Sequence, residues 1–263
     1  MKHLLVDVGN TETVVGLSEP DALEPTRTWR FATPTSRTAD ELRLLVAGFL
    51  GEAGLEGSQI GRVVIGSVVP MATDRLRAAL AGWASAEAMV VDSTTPLPIR
   101  LDVEEPRTVG ADRIVNTLAA ARLFGRDTVV VDLGTATTYD LITGDGVFKG
   151  GVIAPGLRAG MEWLGARTAK LPSVEFRPPA QVIGRRTEDC LASGIFYSAV
   201  DAIDGIVERI REEWTGDGLH VVATGGYASV VAGHSGVIDE VVPDLTLTGL
   251  QLAGWHMAGS VPE

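Results

Sequence analysis

The sequence predicts an α/β protein built as two similar halves, each a mixed or parallel sheet covered by helices. Two strings carry much of that expectation. Asp7-Val8-Gly9-Asn10-Thr11 and Asp132-Leu133-Gly134-Thr135-Ala136 each follow a run of strand formers and continue into further β-branched residues. The opening of the chain is thus echoed in its middle. Around them, apolar runs of strand length alternate with stretches of helical spacing, as in sheets covered by helices. At 263 residues the chain has ample core for one large or two small domains.

Taken in order, residues 3–8 read as a buried strand around Leu4, Leu5 and Val6, with residues 13–17 as its hairpin partner and residues 29–32 extending the sheet. Thr38-Ala39-Asp40-Glu41 is a capping box, after which Leu42, Leu45, Val46 and Phe49 recur at helical spacing. A Gly-rich break leads to a strand over residues 63–69 that stops at Pro70. Residues 74–84 then form a short helix with Leu76 and Leu80 on one side, and residues 89–91 another strand. Pro96, Pro98 and Pro106 mark a connector before Gly110. Residues 114–124 are an Ala-rich helix presenting Ile114, Leu118 and Ala121.

The second half restarts the pattern. A strand through Thr128-Val129-Val130-Val131 runs into Asp132, returns through Tyr139-Asp140-Leu141-Ile142, turns at Gly144-Asp145-Gly146 and continues as a third short strand. Ile195, Ala199, Ile203, Ile206, Ile210 and Trp214 define a long amphipathic helix. Its apolar length suits either a core helix or a face against a second subunit. Residues 221–223 are a strand entering Thr224-Gly225-Gly226. The expected split is 1–117 and 118–263.

Composition narrows the function. A formal net charge of -12 repels nucleic acid and anionic membrane, so neither is an expected partner. A single cysteine, Cys190, rules out an intramolecular disulfide and is expected to be a small buried helix residue. His3, His220, His234 and His256 lack zinc-binding spacing. The apolar run after Met1-Lys2-His3 stops at Asp7, too soon for a signal peptide, and no stretch is expected to span a bilayer. The expected location is the cytoplasm.

A hairpin turn holding an acid, a glycine and a hydroxyl offers what a phosphate needs. Glycine lets backbone N–H groups come close, the hydroxyl donates, and the carboxylate holds a neutralising cation. Asp, Gly and Asn also dominate ordinary turns, so one such loop says little. The second copy and the Gly pair after a later strand say more. A nucleotide in a cleft between the halves is the expectation. The chain contains no Gly-x4-Gly-Lys-Ser/Thr loop and no Gly-x-Gly-x-x-Gly fingerprint.

Where the Pro-rich connector meets a helix stands Val109-Gly110-Ala111-Asp112-Arg113-Ile114-Val115-Asn116. Asp112 as a helix cap beside a solvated Arg113 is one interpretation. The other is phosphoryl transfer to a hydroxyl, the carboxylate taking the proton while the guanidinium holds an anionic group of the acceptor.

The three loops resemble the phosphate, phosphate and adenosine loops of the acetate kinase, sugar kinase, Hsp70 and actin superfamily. That resemblance implies two actin-like (ribonuclease H-like) domains with mixed sheets and an interdomain nucleotide cleft. The whole set resembles type III pantothenate kinase. The matching strings are residues 7–14, Ser67-Val68-Val69-Pro70, residues 110–116, residues 131–138, residues 150–156, Ala169-Lys170-Leu171-Pro172, Val182-Ile183-Gly184, Thr187, Thr224-Gly225-Gly226 and Asp244-Leu245-Thr246-Leu247.

The resemblance implies ATP-dependent phosphorylation of pantothenate to 4′-phosphopantothenate, the first step of coenzyme A biosynthesis. Asp7, Val8, Gly9, Asn10, Thr11, Glu12, Thr13 and Val14 would form the first ATP loop, and Thr135 would contact ATP from the second. Asp112 would accept the hydroxyl proton. Gly110, Ala111, Asp112, Arg113 and Thr187 would bind pantothenate. Asp132 would ligate potassium or ammonium, with magnesium arriving on ATP, and the protein would be a homodimer. Two positions depart from the family pattern. Val103 stands where many members have a Tyr, and Glu12 where Asn or His is usual. Alternation along a strand would turn Glu12 away from the nucleotide if Thr11 and Thr13 face it. The competing expectations are a non-catalytic regulatory relative and another kinase or phosphatase of the same fold.

Overall fold

The computed structural model describes residues 1–33, 36–85, 88–159, 161, 172, 174–216 and 218–261. Of the matching strings, Ala169, Lys170 and Leu171 lie outside the described residues.

Alternating apolar residues set the first sheet. Leu4, Val6 and Val8 of β1 (Lys2–Val8) share one face with Val15 and Leu17 of β2 (Glu12–Ser18), all of them buried. β2 pairs antiparallel with both β1 and β3 (Arg27–Ala32), while β4 (Ile60–Ser67) and β5 (Ala88–Val91) add in parallel. The order is β3-β2-β1-β4-β5.

Two helices cover that face: α1 (Ala39–Glu52), through Leu42, Val46 and Leu50, and α2 (Pro70–Leu80), through Ala72, Leu76, Ala79 and Leu80. Each fully buried Leu or Val there contributes about 1.5–3 kcal/mol. The expected capping box is present, with Glu41 N–H donating to Thr38 Oγ1 and Thr38 N–H to Glu41 Oε2. The helix expected over 74–84 instead begins at Pro70, and β4 stops at Ser67. Proline suits the first helical position, where its missing N–H would have no partner anyway.

The second sheet repeats the first. β7 (Thr128–Leu133), β8 (Ala136–Ile142) and β9 (Val147–Pro155) form the meander, and β10 (His220–Thr224) and β11 (Glu240–Val241) add in parallel on the other side of β7. The order β9-β8-β7-β10-β11 is that of the first sheet, position for position. The two-residue strand β6 (Arg100–Leu101) pairs with Val147 and Phe148 at the start of β9.

Three helices dominate the rest. α3 (Ala111–Phe124) begins three residues before the expected helix. α4 (Thr187–Glu213) covers the second sheet through Phe196, Val200, Ile203 and Val207, beginning eight residues before the expected span. Cys190, expected to be buried, is exposed on its first turns. By length and composition α4 is apolar enough to cross a membrane, contrary to expectation, with 28% of its most apolar stretch buried. After the single-turn helix α5 (Ala228–Ala232) comes α6 (Leu245–Met257), buried on almost every side.

The chain divides into two compact units. Unit 1 is Met1–Leu123 with Gly146–Phe148 and Asp244–Glu263, and unit 2 is Phe124–Asp145 with Lys149–Pro243. This differs from the split at 117. In particular, α6 belongs with the first sheet, where it packs on β1 and β4. Gln251 Nε2 donates to the carbonyls of Glu19 (3.0 Å) and Ala22 (2.9 Å), and Trp255 Nε1 to that of Pro20 (2.8 Å).

Candidate active site

In unit 1 the residues singled out in sequence converge at the carboxyl ends of β1 and β4. Leu4, Val6 and Val8 face the core, so His3, Leu5 and Asp7 face the other way. Asp7 lies beside Gly66 in the β1–β4 register, and Val68 N–H donates to Val8 O at 3.1 Å. A Cβ at position 66 would stand 3.0 Å from Leu250 and 3.8 Å from the Cβ of Ala111, so Asp7 shares its face with the start of α3. At Gly110 a Cβ would meet Val68 at 3.2 Å and an Asp112 carboxylate oxygen at 2.4 Å. The first loop, the Ser67-Val68 segment and the Gly110–Ala111–Asp112 turn are therefore direct neighbours.

Within that junction the half-buried Asp112 sits in the first turn of α3, where its Oδ1 accepts the Arg113 N–H at 2.8 Å. This satisfies one of the N–H groups a helix start leaves open and favours a negative charge there. The capping expectation is thus met in part, by the second residue of the helix. The Arg113 guanidinium lies over the Phe148 ring, 4.9 Å from its centroid.

The first loop divides into a tip and a root. Asn10, Thr11 and Glu12 are exposed, and Gly9 N–H donates to Glu12 O at 3.0 Å. Val8 and Thr13 are buried. Thr13 Oγ1 lies 2.8 Å from Thr33 Oγ1, and Thr33 N–H donates to Thr11 O at 2.8 Å, so Thr33 anchors the returning strand. Thr13 is thus a root residue facing the core. Glu12 alternates with it and shares the face of Val14, the register partner of Asp7. The condition for turning Glu12 away, that Thr13 face a ligand, is not met. The carboxylate is exposed on the Asp7 side of the sheet.

Unit 2 builds the equivalent constellation. Asp132 occupies the same penultimate position in β7 that Asp7 has in β1, facing away from core residues Val131 and Leu133. Thr135 is exposed at the tip of a shorter turn closed by Gly134 N–H to Ala136 O at 3.1 Å. A Cβ at Gly156 would be 2.2 Å from Thr135 O, so the end of β9 presses on this turn. Gly225 has φ +92°, and a Cβ there would be 2.9 Å from Asp132 Oδ1 and 2.8 Å from Leu133 O. Only glycine takes that backbone conformation readily and leaves the space open. Thr187 also belongs to unit 2, exposed at the start of α4.

A family model described as type III pantothenate kinase matches residues 3–209. The chain belongs to the type III pantothenate kinase family. Members it resembles include the type III pantothenate kinase of Streptomyces griseus, 41% identical over 256 residues and covering 95% of this chain and 96% of that one. That of Syntrophotalea carbinolica is 42% identical over 249 residues, with coverage of 95% and 96%. Membership makes the chain a kinase, a phosphotransferase.

Solved structures agree on the fold. The activator of the 2-hydroxyisocaproyl-CoA dehydratase from Clostridium difficile, determined with bound ADPNP, superposes with TM-score 0.58 at 14% identity and covers 99% of this chain and 96% of that one. Component A of the (R)-2-hydroxyglutaryl-CoA dehydratase of Acidaminococcus fermentans gives TM-score 0.57 at 14% identity, covering 100% of both. The architecture is that of the actin-like ATPases and sugar kinases, an α/β fold with two mixed sheets.

Three residues near these loops were not singled out in sequence. Thr33 and Phe148 belong to strands and strand ends with no polar or spacing signal. Gly66 is one of 31 glycines, distinguished only by the register that sets it beside Asp7.

Proposed function

We propose that this chain transfers the γ-phosphate of ATP to the primary hydroxyl of pantothenate, giving 4′-phosphopantothenate in the first step of coenzyme A biosynthesis. The observation that carries the proposal is the junction in unit 1. There Val68 N–H donates to Val8 O at the root of the first loop at 3.1 Å, and the space beside Gly110 is bordered by both Val68 and an Asp112 carboxylate oxygen. A loop suited to phosphate and an acid suited to a hydroxyl proton thus stand side by side.

The roles follow from what each group offers. Asp112 Oδ1 is fixed by the Arg113 N–H, which leaves Oδ2 to take the hydroxyl proton as the phosphoryl group transfers. Asn10, Thr11 and the loop N–H groups hold phosphate oxygens in unit 1, and Thr135 contacts ATP from unit 2. Arg113 takes the carboxylate of pantothenate, in the planar two-point geometry a guanidinium favours. Gly110 and Ala111 line the acceptor site, which Thr187 also contacts. Little covalent chemistry falls to the protein, and positioning and charge do most of the work.

Asp132 is the residue to hold a monovalent cation. Its Oδ1 and the carbonyl oxygen of Leu133 both border the space beside Gly225, and both are hard oxygen donors. No group of three or more His, Cys, Asp or Glu that would cage a divalent ion occurs among the described residues. A potassium-sized ion there would offset the charge between Asp132 and the phosphates. Magnesium would come with ATP.

The exposed apolar surface of unit 2, which includes Ile153, Val182 and Ile183, supports a homodimer, as does the incompletely covered helix α4. A cytoplasmic location, with no nucleic-acid or membrane partner, fits small-molecule substrates and a net charge of -12.

A coupled assay of ADP release tests the proposal, offering pantothenate beside acetate, glycerol and hexoses, with and without potassium. Turnover is expected with pantothenate alone and is expected to fall when sodium replaces potassium. Release of ADP with another acceptor and none with pantothenate would overturn the assignment.

A further inference from the structure

We infer that Thr246 is a positioning residue for Asp112: its hydroxyl, bonded to Asn116 where α6 crosses α3, sets the direction in which α3 presents the carboxylate. This rests on the assignment of Asp112 as the base. Asn116 follows Asp112 by four residues, so the two share a face of α3 one turn apart. Thr246 lies in the first turn of α6, and its Oγ1 donates to Asn116 Oδ1 at 3.0 Å. Two strings singled out in sequence, 110–116 and 244–247, thus meet in the fold.

The close approaches around α3 fix distance rather than direction. Ala111 and Leu250 both border the space beside Gly66, and Gly249 lets α6 lie against the backbone at Val115. Contacts of that kind depend on separation and leave a helix some freedom to turn about its axis, whereas a hydrogen bond weakens steeply as it bends. Asn116 is 1% exposed and Thr246 half-buried, so water competes little for the bond between them. Thr246 is itself held, because Thr248 N–H donates to Asp244 O at 2.9 Å and closes the first turn of α6 around it. Thr117, the next residue of α3, turns its hydroxyl back to Arg113 O of its own helix at 2.8 Å; that of Thr246 crosses to the neighbouring helix instead. The rotation of α3, and with it the Asp112 carboxylate one turn away, is set at this bond.

The test is steady-state kinetics on the full chain carrying Thr246→Val, Thr246→Ser, Asp112→Asn, or Thr246→Val with Asp112→Asn, with pantothenate as acceptor. Valine keeps the shape of threonine without the donor, and serine keeps the donor. Thr246→Val is expected to lower kcat about tenfold, with the KM for ATP and for pantothenate within about twofold, because the base is misdirected while substrate binding is untouched. Thr246→Ser should stay within about twofold of the parent. Thr246→Val should add less than about twofold to the loss in Asp112→Asn, since a base that is absent cannot be misdirected.

A tenfold loss repeated on top of Asp112→Asn, or a loss in Thr246→Ser as large as in Thr246→Val, would make Thr246 a packing residue and overturn the inference. A normal kcat in Thr246→Val, with Asp112→Asn impaired, would overturn it while leaving Asp112 as the base. A normal kcat in Asp112→Asn would overturn both. Should Thr246→Val fail to fold, Thr246→Ala, smaller and equally without a donor, carries the same comparison.

Discussion

Asp112 Oδ1 ties down the N–H of the next residue in the first turn of α3, and in the proposed reaction the other oxygen takes the hydroxyl proton. Asp112→Asn keeps an oxygen for the first task and loses the base for the second. Folding and ATP binding are therefore expected to survive while kcat falls by about 10²-fold or more. Near-normal ADP release from that variant would remove Asp112 from proton transfer. The Asp-Arg pair was legible because an acid and a base beside glycine, at a connector, have chemical meaning as residue types. The division of the first loop was not. Thr13 and Thr11 look alike in a string, and only the register with β1 and the anchor at Thr33 turn Thr13 inward and set Glu12 on the side of Asp7.

At the scale of elements, helices α3 and α6 cross with their backbones in contact. A Cβ at Gly249 would stand 2.1 Å from the carbonyl oxygen of Val115, and backbone has little room to yield. Gly249→Ala is expected to destabilise the protein by about 1–3 kcal/mol, the usual cost of overfilling a packed site. An unchanged denaturant midpoint would contradict this. α6 escaped sequence reasoning for a related reason: its residues are apolar all round, so no stripe marks a period. The first turns of α4 are exposed and gave the pattern nothing to start from, while the two residues of β6 are too few to alternate.

β1 and α6 also carry a titratable contact, His3 Nδ1 lying 3.0 Å from Gln251 Oε1. Burial, the main cause, holds His3 below its ordinary pKa of 6.5, with Gln251 opposing and Arg62 assisting. The unfolded chain then binds the proton more readily, so stability is lost as pH falls below about 6.5. Melting temperatures between pH 7.5 and 5.5 should decline less in His3→Gln than in the parent. Equal slopes would exclude His3 as a source of the acid sensitivity.

For the whole molecule, the duplication was legible and the division of the chain was not. Two copies of an acid–glycine turn announced two halves, and both sheets have the same strand order. Their bounds depend on contacts between residues far apart in sequence, such as those of Gln251 with Glu19 and Ala22. A homodimer is expected from the apolar surface of unit 2. Light scattering at micromolar concentration should therefore give about twice 27.7 kDa, and a single species of 27.7 kDa would refute it. Unit 1 is interrupted in sequence by unit 2 and closed by Asp244–Glu263. During synthesis, then, β1 and β4 leave the ribosome long before the helix that packs on them. At ordinary elongation rates the wait is about ten seconds or more. Through that interval the face holding Leu5 is a greasy surface in want of a chaperone, while unit 2 can already mature. A chain stopped after Pro243 should reproduce that nascent state, with amides of β7 and β10 protected from hydrogen exchange and those of β1 and β4 exchanging freely. Equal protection of both sheets would show that unit 1 closes without α6.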